Sequence, residues 1–306
     1  MPLVSVVLNL RNGAPTLRQA IDSVLAQSCK DWELIVWDDR STDDSAALVA
    51  LYHDARIHYF LSPEDVPLGQ ARRDAIAHAA GEWVAFLDQD DVWLPRKLER
   101  QLALADTGVG LIYGRTVRFY PGGRERDYDQ AHEYRLLPEG NIFTQLFTES
   151  CFIAMSSAIF RRSAIEAIGG IPDEVRIIPD YYLYVAVARR YRARAVQQAV
   201  CRYRMHPDSM SHIVALAMHQ EVLWLIDNWA AELAPSTVAL CRRRHSTAIA
   251  LEEMRSSNTF PLGILRLVTQ GSVGSQLLRP FAFVFHLVRR NLWRPYWRRL
   301  NEDATV

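Results

Sequence analysis

A mostly parallel, doubly wound α/β sheet followed by a helical extension is the fold this sequence predicts, on three observations. Short β-branched or aromatic runs recur through the first hundred residues, helical patterns separate them, and acidic residues gather where the runs end. Strand alternating with helix leads to parallel pairing through right-handed crossovers. With 306 residues, 49% hydrophobic and 23% charged, the chain can bury a full core as one large domain, or as a domain plus an extension.

The elements follow in order. "LVSVVLNL" (3–10), "ELIVW" (33–37), "IHYFL" (57–61) and "WVAFL" (83–87) read as strands buried on both faces. Between the first two, "TLRQAIDSVLAQ" places Leu17, Ile21, Val24 and Leu25 on one helical face behind Pro15. "STDDSAALVALY" supplies capping residue types and early acids to a second helix, and "GQARRDAIAHAAG" forms a third with Gly81 as its stop. "DDVWLPRKLERQL" opens a fourth, which Asp91 is placed to cap. Residues 115–150, rich in glycine and charge, predict a mobile loop over a site. After residue 212 the period is helical throughout, so the expected division is 1–212 and 213–306.

Composition excludes several function classes. Lys+Arg 35 against Asp+Glu 35 gives a net charge of +0, which leaves no global field to attract nucleic acid. Cys29, Cys151, Cys201 and Cys241 are scattered, without a Cys-x-x-Cys pair, and so read as reduced packing residues rather than zinc ligands or a disulfide framework. "MPLVSVVLNLRNG" has neither a basic n-region nor a long apolar h-region, and a cytoplasmic protein is expected.

The chemistry should lie at the strand ends, because open α/β sheets bind ligands beyond the carboxyl ends of their strands. Asn9 and Asn12 follow the first strand, Asp38 and Asp39 the second, and Asp88, Asp90 and Asp91 the run at 83–87. Carboxylates this close raise one another's pKa unless a cation neutralises them. Oxygen ligands suit Mg²⁺ or Mn²⁺, which keep positions for water and phosphate, and a nucleoside diphosphate is the simplest cargo. Trp93 could offer its face to a sugar ring or serve as a core aromatic at a helix entry.

Two long blocks carry a family resemblance. "VSVVLNLRNGAPTLRQAIDSVLAQSCKDWELIVWDDRSTDDS" and "GQARRDAIAHAAGEWVAFLDQDDVWLPRKLERQ" resemble the opening of family 2 glycosyltransferases with the GT-A fold, and the resemblance runs over about residues 3 to 212. It implies that Asp38 and Asp39 contact the nucleoside with Asn9 nearby, Arg72 the nucleotide, and Asp88 the ribose or sugar. Asp90 would hold a divalent metal on the pyrophosphate. Apart from the resemblance, Asp91 and Trp93 are candidates for the acceptor side. "AIFRRSAIEAIGGIPDEVRIIPDYYLYVAVARRY" is similar to the family segment that carries the general base, and Asp180 matches that base. Asp180 reads equally as the cap of the helix it opens, and Tyr181, Tyr182 and Tyr184 could form an apolar wall around it. "CRYRMHPDSMSH" resembles the element in which His206 would complete the metal shell and Arg204 approach the pyrophosphate.

The chain departs from the family pattern at Asn9-Leu10, usually Pro-Thr, at Arg40, usually Gly, at Arg73, usually Asn, and at Pro179, usually an acid. The first two leave uridine and thymidine donors open. "DQDDVW" resembles members that build bacterial surface polysaccharides, rhamnosyltransferases among them. The resemblance therefore implies metal-dependent, inverting transfer from a UDP- or dTDP-sugar to a glycan or lipid-linked acceptor. Two alternatives stand beside it: a catalytically silent sugar-nucleotide scaffold at the membrane, and a sugar-1-phosphate nucleotidyltransferase, for which "NLRNGAPTL" lacks the Gly-rich phosphate loop. Finally, "LLRPFAFVFHLVRRNLWRPYWRRL" (277–300) has arginines and aromatics without an acid, as in a segment lying on anionic lipid at the inner face of the cell membrane. The other reading is a helix packed on the catalytic domain or on a second copy of the chain.

Overall fold

The computed structural model describes residues 1–120, 125–127, 136–149, 151–206 and 215–256. Two compact units divide the chain, Met1–Cys241 and Arg242–Val306. The first holds every strand among the described residues and extends past the expected division at 212.

Its opening half alternates as the sequence pattern predicts. Strands β1 (Val4–Leu10), β2 (Trp32–Asp38), β3 (Ile57–Leu61) and β4 (Trp83–Phe86) pair in parallel in the order β3-β2-β1-β4, with helices α1 (Ala14–Leu25), α2 (Ser45–Ala50) and α3 (Leu68–Ala77) between them. Strand geometry sends successive side chains to opposite faces. Val6, Leu8, Leu34, Val36 and Ala85 accordingly join one apolar cluster with Leu17, Ile21 and Val24 of α1, while Val7, Ile35, Trp37, Val84 and Phe86 join another with Ala71 and Ala75 of α3. Burial on both faces is why these runs carry no polar alternation.

β3 departs from expectation. It is the edge strand, and Tyr59 and Leu61 remain 39% and 58% exposed, because no strand lies beyond it to cover them. Gly81 also does something other than stop a helix. α3 ends at Ala77, and Gly81 lies against β1, where its N–H donates to Ser5 Oγ at 2.8 Å and a Cβ would fall 2.6 Å from the Ser5 nitrogen.

The second half of the sheet is mixed. β5 (Val92–Trp93), β6 (Val109–Phe119), β7 (Glu125–Asp127), β8 (Ile159–Arg161) and β9 (Arg192–Arg204) extend the order as β4-β8-β6-β9-β5, with β7 on β6. β8 runs antiparallel to both neighbours, and β9 lies parallel to β6. Helices α4 (Lys97–Leu102), α5 (Phe143–Thr148), α6 (Arg162–Ala167) and α7 (Pro179–Ala188) fall between these strands. The expected mobile loop is partly strand and helix, since residues 115–119 complete β6 and 143–148 form α5. Residues 121–124 and 128–135 of that stretch lie outside the described residues.

Asp91 does not cap a helix. Val92 and Trp93 pair with Arg202 and Cys201 of β9, Pro95 disfavours helical backbone at Leu94, and α4 begins only at Lys97. The last two helices, α8 (Ala215–Trp229) and α9 (Pro235–Ser256), form where the helical period predicts them. α8 belongs to the core of the first unit: Val222, Leu225 and Ile226 are buried there, and the Trp229 ring stacks on Tyr182 at 6.0 Å between centroids. No helix among the described residues is long and apolar enough to cross a membrane.

Lys97 is an unusual core residue. It is fully buried, its Nζ donates to Gln101 Oε1 at 2.7 Å, and it stands 4.1 Å from the centre of the Trp93 ring. Burial pulls its pKa down to about 7. The unfolded chain therefore binds one more proton between pH 7 and the ordinary lysine range, so this residue makes stability rise with pH across that window, by on the order of 5 kcal/mol. Lys97→Met removes the charge at similar volume. Urea unfolding of that variant should show its advantage over the parent at pH 7 shrinking by pH 9.5. An advantage that is constant or grows with pH would show that the buried ammonium carries no such cost.

Candidate active site

Three polypeptide turns meet at the carboxyl end of the parallel strands. The first follows β1, the second follows β2, and the third carries Asp88, Asp90 and Asp91 after β4. Gln89 ties the first turn to the third, accepting the Arg11 N–H at 2.8 Å through Oε1 and donating to the Arg11 carbonyl at 3.0 Å through Nε2. The Arg11 guanidinium then reaches the second turn, 3.1 Å from Asp39 Oδ2, and forms a second ion pair with Asp65. Both acidic clusters are thereby linked through residue 11, as a shared crevice requires.

Inside that frame several predicted residues are in contact. Arg72, only 5% exposed on α3, places Nη2 2.8 Å from Asp88 Oδ1, and its Nη1 is buried without a partner. Asp90 Oδ2 lies 2.7 Å from His206 Nε2. Arg204 wraps the same turn: its backbone N–H donates to Asp91 Oδ1 at 2.9 Å and its Nε to the Asp90 carbonyl at 2.7 Å. Asp180, second residue of α7, lies within electrostatic reach of Asp88 and adds to the upward pressure on its pKa. Asp180 Oδ1 accepts the Tyr181 N–H at 2.8 Å, which fixes the side chain against its own helix turn. Tyr181 and Tyr184 are buried, with hydroxyls donating to the Leu146 carbonyl and to Met155 Sδ.

Other predicted residues are differently employed. Both Asp38 oxygens are taken within the protein, Oδ1 by the Ser41 N–H at 2.7 Å and Oδ2 by the Tyr59 hydroxyl at 2.7 Å, so Asp38 braces the turn. Asn9, in β1, keeps a buried Nδ2 without a hydrogen-bond partner, an exception among buried polar groups. Trp93 must be withdrawn from the acceptor side. It is 2% exposed, its Nε1 donates to the Ser156 carbonyl at 2.8 Å, and it is a core aromatic. Asp91 is likewise buried and faces β9 rather than an open crevice. Arg73, which replaces the family's Asn, pairs with Asp173. Arg40 adopts φ 58, a left-handed conformation that explains why glycine is usual there.

Ser156 is a site residue that the sequence does not announce. It is fully buried in a 3₁₀ turn (Met155–Ser157), and its Oγ accepts the Asp88 N–H at 3.0 Å. Only the pairing of β4 with β8 brings this turn beside the acidic one.

The electrostatics show a site with surplus negative charge. Burial is the largest cause pushing the Asp88 carboxyl up to about 6; Arg72 opposes it, and Asp90 and Asp180 add to it. Asp91 is driven well above the carboxylate range by burial, then by Asp90 and Asp88. One carboxylate oxygen and one imidazole nitrogen side by side, next to unbalanced acids, fit a divalent cation that completes its shell with phosphate oxygens and water. No group of three or more ligating side chains is assembled among the described residues, so such an ion would depend on a ligand for the rest of its shell.

Comparison with known proteins agrees with this architecture. A model of the family Glycosyl transferase family 2 matches residues 5–169. The Escherichia coli UDP-Glc:alpha-D-GlcNAc-diphosphoundecaprenol beta-1,3-glucosyltransferase WfgD is 26% identical over 211 residues, 68% of this chain and 79% of that protein. Among solved structures, S. aureus TarS 1–349 in complex with UDP-GlcNAc superposes with a TM-score of 0.62 at 18% identity, covering 87% of this chain and 78% of that one. The match spans 44% of the longer TarS structure. The mannosyltransferase PcManGT from Pyrobaculum calidifontis, in complex with GDP-Man and Mn²⁺, gives 0.62 at 21% identity over 96% of this chain and 83% of that one. These structural likenesses establish a shared GT-A fold. The chain belongs to glycosyl transferase family 2 and is a glycosyltransferase.

Proposed function

We propose that this chain transfers a sugar, with inversion, from a UDP- or dTDP-sugar to a lipid-linked glycan acceptor in cell-surface polysaccharide synthesis, with Mg²⁺ or Mn²⁺ as cofactor. The observation that carries the reading is the Asp90–His206 contact beside the Arg72–Asp88 pair, with Asp180 in reach of the same space. The relative WfgD, named for a UDP-glucose donor and a diphosphoundecaprenol acceptor, supports both substrate classes.

Each residue then has a task its surroundings suit. Asp90 and His206 would hold the cation, which supplies charge stabilisation to the departing diphosphate. Arg72, its Nη1 unpartnered and its Nη2 on Asp88, adds a fixed positive charge near that leaving group. Asp88 orients ribose or sugar hydroxyls, Asn9 and Asp39 contact the nucleoside, and Asp38 and Arg204 hold the turns on which these residues stand. Asp180 takes the proton of the acceptor hydroxyl as its oxygen attacks the anomeric carbon. The bond from that carbon to the diphosphate breaks on the opposite face, through an oxocarbenium-like state. Residues 277–300, which lie outside the described residues, would attach the protein to the inner face of the membrane where a lipid-linked acceptor resides.

Three measurements test this. In calorimetry with Mn²⁺, one of UDP, dTDP and GDP should bind at least about tenfold more tightly than in EDTA, and Asp90→Ala or His206→Ala should remove that gain. Equal affinity with and without metal refutes the cation assignment. Asp180→Asn should keep diphosphate affinity and lose transfer by about 10²–10⁴-fold, whereas a near-normal rate removes Asp180 from the chemistry. Deleting residues 277–306 should abolish flotation with phosphatidylserine-rich vesicles; unchanged flotation assigns the attachment elsewhere.

A further inference from the structure

The loop before α7 is clamped from two sides. Glu221 on α8 receives three consecutive backbone N–H groups on one carboxylate: Arg176 at 3.0 Å, Ile177 at 2.9 and 3.0 Å to its two oxygens, and Ile178 at 3.0 Å. Successive N–H groups of this kind form an anion-binding concavity, and a negative charge at the start of a helix is favoured by its dipole. α7 has no side-chain cap, since the N-cap position is Ile178 and Pro179 has no N–H to offer. The carboxylate from the distant helix takes instead the N–H groups of the residues that lead into α7, ending at the N-cap residue itself. α8 is held to this place by its buried Val222, Leu225 and Ile226 and by Trp229 on Tyr182.

On its other side the same loop touches α3 through backbone. The Gly69 N–H donates to the Arg176 carbonyl at 3.0 Å, and a Cβ at residue 69 would fall 1.8 Å from the Val175 carbonyl oxygen. One turn further along α3 stands Arg72, bonded to Asp88. Residues 175–178 thus connect the helix that carries the donor-side arginine to the helix that carries Asp180. The Asp180 side chain is fixed to its own helix by the Tyr181 N–H, so its direction follows from where the first turn of α7 sits.

From this geometry we infer that Glu221 is a positioning residue for the transfer step: its carboxylate, gripping the three amides before α7, holds Asp180 in register with Arg72 and Asp88. The inference rests on the proposed role of Asp180 as the base. It also gives a positioning duty to a helix beyond residues 5–169, the stretch that the family model matches.

The test uses the full chain with two substitutions. Glu221→Gln turns one acceptor oxygen into an amide NH₂ facing N–H donors, and Glu221→Asp keeps the charge at shorter reach. Expected for Glu221→Gln are unchanged UDP affinity in Mn²⁺, faster amide hydrogen exchange confined to 176–182, and a kcat about 10- to 100-fold lower with the donor and acceptor that support transfer by the parent; Glu221→Asp recovers part of that loss. In an Asp180→Asn background the Glu221→Gln substitution should cost nothing more, because both act on one step. Unchanged exchange at 176–182, a kcat within about twofold of the parent in both variants, or an equal further loss in the Asp180→Asn background overturns the inference. So does a parallel fall of UDP affinity and unfolding midpoint, which marks a purely structural residue. If Asp180→Asn alone keeps a near-normal rate, the base assignment itself has failed, and that outcome is separate from all of these.

Discussion

Three carboxylates, Asp88, Asp90 and Asp91, stand within four residues at the end of a strand buried on both faces, and the arrangement around them exists to hold that charge. Part of the load is met by neighbours: the Arg72 guanidinium on Asp88, the His206 imidazole on Asp90, and the Arg204 amide on Asp91. Part is not met, as the upward pressure on Asp88 and Asp91 shows. An enzyme that binds a diphosphate and a divalent ion has use for such an imbalance. Under the proposed metal-dependent reading, such an ion would be attracted by these acids, and the phosphates it carries would be favoured by Arg72.

The fold makes the arrangement affordable. A parallel sheet covered on both sides brings several strand ends to one edge without exposing its apolar faces, so the polar groups can be concentrated where the strands stop. Side-chain and backbone bonds between turns then replace secondary structure as the organising force: Gln89 on Arg11, Arg11 on Asp39, Ser156 on Asp88. Buried polar residues farther back follow the same logic. Gln101 donates to the Ile112 and Ser157 carbonyls while accepting from Lys97, which ties α4 beneath the acidic turn to the sheet.

On the proposed assignment, the acceptor side is built differently from most of the donor side. Of the residues proposed for the donor side, Asn9, Asp39, Arg72, Asp88 and Asp90 lie on consecutive βα units, while His206 follows β9. The loop that leads to Asp180 is held by contacts distant in sequence, with Glu221 from α8 on one side and Gly69 from α3 on the other.

Period and residue type in the sequence alone determined the four opening strands, the helices between them, the two helices after residue 212, and the gathering of acidic residues at the strand ends. Those features are local, set by side-chain alternation along a strand and by short spacings at a strand end. Tertiary structure decided what depends on neighbours distant in the chain. β3 lost its second cover by falling at the sheet edge, Gly81 proved to be a close approach to β1, and Val92–Trp93 paired with β9 where a helix was expected. That pairing buried Trp93 and turned Asp91 inward, while β4–β8 pairing delivered Ser156 to Asp88. A side chain's exposure and its hydrogen-bond partners are properties of the packed neighbourhood, and no local pattern in the sequence encodes them.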